Sequence, residues 1–148
     1  MRRNFSRCFL ISALSLLAAT GALKTAAGEG APTPTGNEWK GPARAASKKN
    51  PIPPDENALA RGKAIYVREC LSCHGRQGKG DGPSASGLEK LPGDLTDSQR
   101  ISVQSDGELF WKISEGKTPM PTMKKSLTEE ERWQVVHYIR SLASKKGD

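Results

Sequence analysis

The sequence predicts an all-α domain over residues 55–143, with three to four helices joined by long loops. Three observations predict it. Apolar residues recur at helical spacing in three segments. Each segment opens on a residue able to cap a helix. No stretch alternates with period two for long enough to form a strand.

The first helix runs from about Asp55 to Cys70, with Asp55 as its N-cap. Ala58, Leu59, Gly62, Ile65 and Tyr66 share one face. The second opens on Ser105-Asp106-Gly107-Glu108, a capping-box pattern, and ends near Gly116. Leu109, Phe110 and Ile113 form its apolar side. The third opens on Thr128-Glu129-Glu130-Glu131, a second capping box with its acids at the positive end of the helix dipole. It continues to about Leu142, with Val135, Val136, Ile139 and Leu142 inward. The intervening loops are rich in Gly and Pro, and long loops in a compact domain usually wrap something functional.

Composition sets further limits. The chain has 148 residues, 35% hydrophobic and 5% aromatic, and much of the aliphatic content lies between Phe9 and Leu23. The remainder is thin for a small domain, which buries proportionally little surface. Either part of the chain is disordered or something other than protein helps to fill the core. A large enzyme and a polytopic membrane protein are excluded, and three Cys cannot build a many-bridged disulfide scaffold.

Residues 1–27 read as a signal peptide: Arg2, Arg3 and Arg7 form a positive n-region, Cys8 to Leu17 is apolar, and small residues allow cleavage after Ala22 or Ala27. The apolar run is short for an uncleaved membrane anchor. A periplasmic location follows. These residues hold four cations (Arg2, Arg3, Arg7, Lys24) and no acid, so the formal +7 of the whole chain becomes +3 without them. The basicity therefore makes no case for nucleic acid. Residues 28–54 read as a Pro- and Gly-rich flexible linker in which Trp39 is the one residue able to dock, and residues 144–148 as a short tail.

The chemistry lies in Cys70-Leu71-Ser72-Cys73-His74, a C-x-x-C-H pentad of the kind that attaches c-type haem. Two thiols so spaced at a helix end reach both vinyl groups of one porphyrin, and His74 supplies the proximal iron ligand. A thioredoxin-like redox pair needs a βαβ context that the sequence lacks. A structural zinc site needs two further ligands, and outside the pentad the sequence has only His137 and the early Cys8. An electron carrier needs a second axial ligand, for which Met120, Met123 and His137 are the candidates. Met120 sits between two prolines in Gly116-Lys117-Thr118-Pro119-Met120-Pro121, and a thioether ligand raises the reduction potential. Met123 is the fallback; either methionine can also serve as core filler. His137, beside Tyr138 on the third helix, reads as a surface or hydrogen-bonded histidine.

Residues 55–143 resemble a class I cytochrome c of the small bacterial mono-haem type, similar to the haem subunits of cbb3-type oxidases. The matching pieces are Gly62 to Tyr66, the pentad, Gly75 to Pro83, Leu91-Pro92-Gly93-Asp94-Leu95, Gly116 to Pro121, and Leu127 to Glu131 leading to Tyr138 and Leu142. The resemblance implies a small cytochrome c fold wrapped around one covalent haem c. It implies Met120 as distal ligand, because Met120 and not Met123 has the family's spacing to Leu127. It implies that the first and last helices cross, bringing Gly62 and Tyr66 towards Val135 and Tyr138. His74 should donate its free ring N–H to a backbone carbonyl, and the resemblance offers that of Pro83.

The expected function is one-electron transfer between redox protein partners, by a carrier that is monomeric in isolation and not an enzyme. Lys112, Lys117, Lys124 and Lys125 would surround the exposed haem edge and steer an acidic partner, or simply form a solvated face. Trp111 would flank a propionate or pack. One alternative is a haem subunit of a larger oxidoreductase, including a membrane complex. Another is a five-coordinate haem sensor or enzyme, if Met120 does not ligate.

Overall fold

Three long helices stand where the periodicity places them. The computed structural model describes residues 39–144. The signal peptide over 1–27, the start of the linker (28–38) and residues 145–148 lie outside the described residues. In chain order the helices are α1 (Ala43–Ala46), α2 (Glu56–Glu69), α3 (Leu71–His74), α4 (Ser98–Ser102), α5 (Asp106–Glu115) and α6 (Glu129–Ser144), with a 3-10 turn over Ala85–Gly87 before α4. Among the described residues there is no strand, only an isolated bridge between Lys117 and Met120.

The caps explain where the long helices begin. The Asp55 carboxylate accepts from the Ala58 amide at 2.7 Å. At α6 the capping box closes in both directions: Glu131 N–H donates to Thr128 Oγ1 at 3.2 Å, and Thr128 N–H to Glu131 Oε2 at 2.9 Å. At α5 it closes only halfway. Ser105 Oγ accepts from Glu108 N–H at 3.1 Å, but the Glu108 carboxylate turns away to accept from Gly41 N–H at 3.1 Å.

The α2–α6 crossing organises the core. Gly62 is the contact point: a Cβ there would run into the Gln134 backbone, so only glycine lets the helices approach. One turn on, the Tyr66 and Tyr138 rings lie 5.0 Å apart, and Tyr66 donates to the Gly75 carbonyl at 2.7 Å. Phe110 of α5 stacks on Trp133 of α6 at 3.9 Å. Ile65, Ile113, Val135 and Val136 complete this core.

The second half of the expected flexible linker is packed on the domain. Residues 39–54 form a strap along α5 and α6. Ala45 is buried in α1, which packs on α5. Ser105 Oγ donates to the Ala46 carbonyl at 2.7 Å. Asn50 Nδ2 donates to the Trp133 carbonyl at 3.2 Å, and His137 Nε2 lies 2.8 Å from the Ile52 carbonyl. Composition hides this, because partners about 60 to 85 positions away supply the bonds. Among the described residues no helix is long and apolar enough to cross a membrane.

Candidate functional site

The pentad begins where α2 ends. Cys70 caps α2, its N–H donating to the Tyr66 carbonyl at 2.8 Å. Its own carbonyl accepts from His74 N–H at 2.8 Å, which winds the next residues into α3. Cys70, Cys73 and His74 all line one cavity of about 570 Å³.

A helix end leaves carbonyls without partners. Here the glycine-rich loop returns to them. Ser84, Gly82 and Gly80 donate to the carbonyls of Ser72, Cys73 and His74 at 2.8, 3.1 and 2.9 Å. The chain passes so close that a side chain at Gly82 would collide with the Ser72 and Cys73 backbone. The loop amides thus form a layer that fixes the pentad from behind.

His74 Nδ1 lies 3.3 Å from the Gly93 carbonyl. A carbonyl only accepts, so Nδ1 carries the proton and Nε2 is left for a metal. This corrects the expectation for Pro83. Pro83 is exposed, and the chain leaves it through the 3-10 turn. The chain returns when Leu95 N–H bonds the Gly78 carbonyl at 2.7 Å, which lays Gly93 beside the ring. Burial pushes the His74 pKa below its usual value, against an opposing pull from the Gly93 carbonyl. Neutral imidazole, the ligating form, is favoured. Burial, with a smaller push from Glu69, raises the Cys70 thiol to about 12. A thiol so held is a poor redox nucleophile, which weighs against a thioredoxin-like pair. Among the described residues no three His, Cys, Asp or Glu gather as a metal cluster, so the zinc reading gains nothing.

The opposite wall carries the methionines. Met120 and Met123 both line the cavity, together with Leu109, Ile113, Val135 and Ile139. Lys117 and Met120 exchange two backbone bonds, of 3.0 and 2.8 Å, closing the loop that presents Met120. Met123 is spent differently: it is 8% exposed within the main core, with Ser126 Oγ 3.5 Å from its sulfur. His137 stays out of the cavity lining and serves the strap.

Two residues that sequence reasoning missed support this wall. Arg132, buried on α6, donates to Ser114 Oγ and lies 4.8 Å over the Phe110 ring. Ser114, almost wholly buried, accepts at its carbonyl from Thr122 Oγ1 at 2.6 Å. Met123 N–H donates to the Ile113 carbonyl at 3.2 Å. The methionine loop is therefore pinned to α5, and α5 to α6. The one visible cue was an arginine at an inward position next to Trp133.

The expected lysine ring is divided. Lys117 is exposed at the cavity. Lys112 is committed to Glu108 at 2.9 Å and Gln104 at 2.6 Å. Lys124 pairs with Glu115 and lines a second cavity, of about 210 Å³. Trp111 packs against Trp39, with ring centroids 6.2 Å apart.

The larger cavity has the size of a small-molecule or cofactor site and a mainly hydrophobic lining. Two thiols, an imidazole with one nitrogen free and two thioethers meet on it. That donor set fits a haem held through Cys70 and Cys73.

The cytochrome c family model matches residues 59–143. No curated protein matches the chain. Among solved structures, a reducing HAO-like protein complex of Kuenenia stuttgartiensis (Kustc0457/Kustc0458) is similar at 36% identity with a TM-score of 0.57, over 64% of this chain. The chain spans 47% of the length of that neighbour's chain. The KustC0563 c-type cytochrome is 28% identical over 55% of this chain and 95% of its own, with a TM-score of 0.49.

Proposed function

The chain belongs to the cytochrome c family and carries a covalently bound haem c; on that premise we propose that it moves single electrons with His74 and Met120 as the two axial iron ligands. The haem supplies a one-electron couple. Cys70 and Cys73 hold it, and the Gly93 carbonyl orients His74. The observation that carries the reading is the meeting of His74 and Met120 on one cavity, with Met120 presented by the loop that its backbone bonds to Lys117 close; Met123 lines the same cavity but is the more buried of the two. Ligation by both residues would leave no iron position for a substrate, and the carrier reading, as against a sensor or a peroxide-handling enzyme, rests on that ligation.

Redox proteins are the partners of such a carrier. A second reading, a haem subunit of a larger oxidoreductase, draws support from the 36% identical neighbour, whose structure is that of a complex. Export to the periplasm by residues 1–27 completes the proposal; the mass of the protein recovered from the periplasm tests it.

The deciding experiment is the optical spectrum of the haem-loaded protein. A low-spin reduced spectrum is expected, with a near-infrared sulfur-to-iron band in the oxidised form that Met120→Ala abolishes and Met123→Ala keeps. Carbon monoxide should bind reduced Met120→Ala and not the wild type. A high-spin wild type, or a band indifferent to Met120, overturns the assignment.

A further inference from the structure

Trp39 lies outside the family match, which begins at residue 59, and outside the ligand set. Yet it lines the same cavity as His74 and Met120. We propose that Trp39 is a cofactor-contacting residue, the lip of the haem cavity on its α5 side, and that the strap exists to hold it there.

The indole is held from several directions. Its ring is tilted by 59° against Trp111. Lys112 Nζ sits 5.8 Å over it, and that ammonium is fixed in turn by Glu108 and Gln104, with its side chain only 14% exposed. Glu108 also accepts from Gly41, two residues beyond Trp39. Gly41 is pressed onto α5: a Cβ would lie 3.2 Å from Glu108 Cγ and 3.3 Å from Trp111 Cε3. The bond from Ser105 to Ala46 anchors the strap further along. Carboxylate, ammonium and backbone thus converge on the placement of one indole.

The consequence is electrostatic. An indole at the cavity edge replaces water with an apolar surface, and burial is one of the levers that sets a haem potential. Lower polarity disfavours the more positive oxidised state; the Lys112 ammonium adds little of its own, because the Glu108 carboxylate 2.9 Å away offsets its charge. Trp39 should therefore raise the reduction potential. This depends on the attached haem and not on which methionine ligates it.

The test uses the full chain with haem attached. Trp39→Ala should shift the midpoint potential downward, while Trp39→Phe, which keeps a ring, should stay near the wild type. Gly41→Val retains the indole but crowds it off α5; it should lower the potential in the same direction as Trp39→Ala. Recording the near-infrared band on each sample separates an effect at the lip from loss of Met120. Unchanged potentials in Trp39→Ala and Gly41→Val overturn the proposal. Where Trp39→Ala fails to fold, the potential of Gly41→Val decides.

Discussion

The two walls of the cavity are built by different means. The wall with Cys70, Cys73 and His74 rests on main-chain hydrogen bonds, most of them between residues within a dozen positions. The wall with Met120 rests on the packing of α5 and α6: the methionine loop bonds the Ile113 and Ser114 carbonyls at the end of α5, and Arg132 ties Ser114 to α6. One wall is a local device that tolerates little change in backbone path. The other is an outcome of helix packing, and its ligand loop is only as firm as the helices behind it. Ligation at His74 should therefore survive perturbations that loosen Met120.

The largest test breaks both walls at once. In the Cys70→Ala, Cys73→Ala double variant no covalent bond holds a haem in the cavity of about 570 Å³, and in the haem-free protein most helicity should vanish from the circular dichroism. A helical, cooperatively melting apo protein would refute this. Next, Gly82→Val forces a side chain into the Ser72 and Cys73 backbone. It should cost on the order of 4 kcal/mol in denaturant unfolding of the haem-loaded protein; a cost under about 1 kcal/mol would mean that the loop is not the brace described.

On the other wall, Met123→Ala removes a buried core side chain and should cost about 3 kcal/mol while keeping the sulfur band. Ser114→Ala leaves Arg132 without its hydroxyl partner and should cost roughly 2 kcal/mol. It should also make the sulfur band fade at a lower temperature than global unfolding; simultaneous loss of both would show that Ser114 acts on the fold alone. The smallest effect is an acid one, on the His74 side. Asp94 accepts from Thr96 Oγ1 at 2.6 Å and from Thr96 N–H at 2.7 Å, which holds its pKa below the ordinary 3.8. Its stabilisation is full above that value and is lost as pH falls through the lower folded one. Asp94→Asn should flatten the acid limb of an unfolding-versus-pH curve below pH 3.8, and an unchanged limb would remove Asp94 from the account.

Asp55, Ser105 and Thr128 fix the starts of the long helices because capping is a contact between near neighbours. Gly62 marks the crossing because close approach needs a missing side chain. Pro83 was displaced by Gly93 because a carbonyl's direction depends on the path of the whole loop. The strap was hidden because Asn50 and Gly41 find their partners on α6 and α5, far along the chain.

The sequence by itself determined the pentad, the helical class and the candidate ligands, since each follows from residue type and short spacing. Only the tertiary structure decided that the Met123 side chain belongs to the core while Met120 is presented by a closed loop. The same structure set Arg132 and Ser114 behind the methionine loop and paired Lys112 with Glu108. Those outcomes depend on which distant surfaces meet, and the sequence encodes that only through the packing of the whole chain.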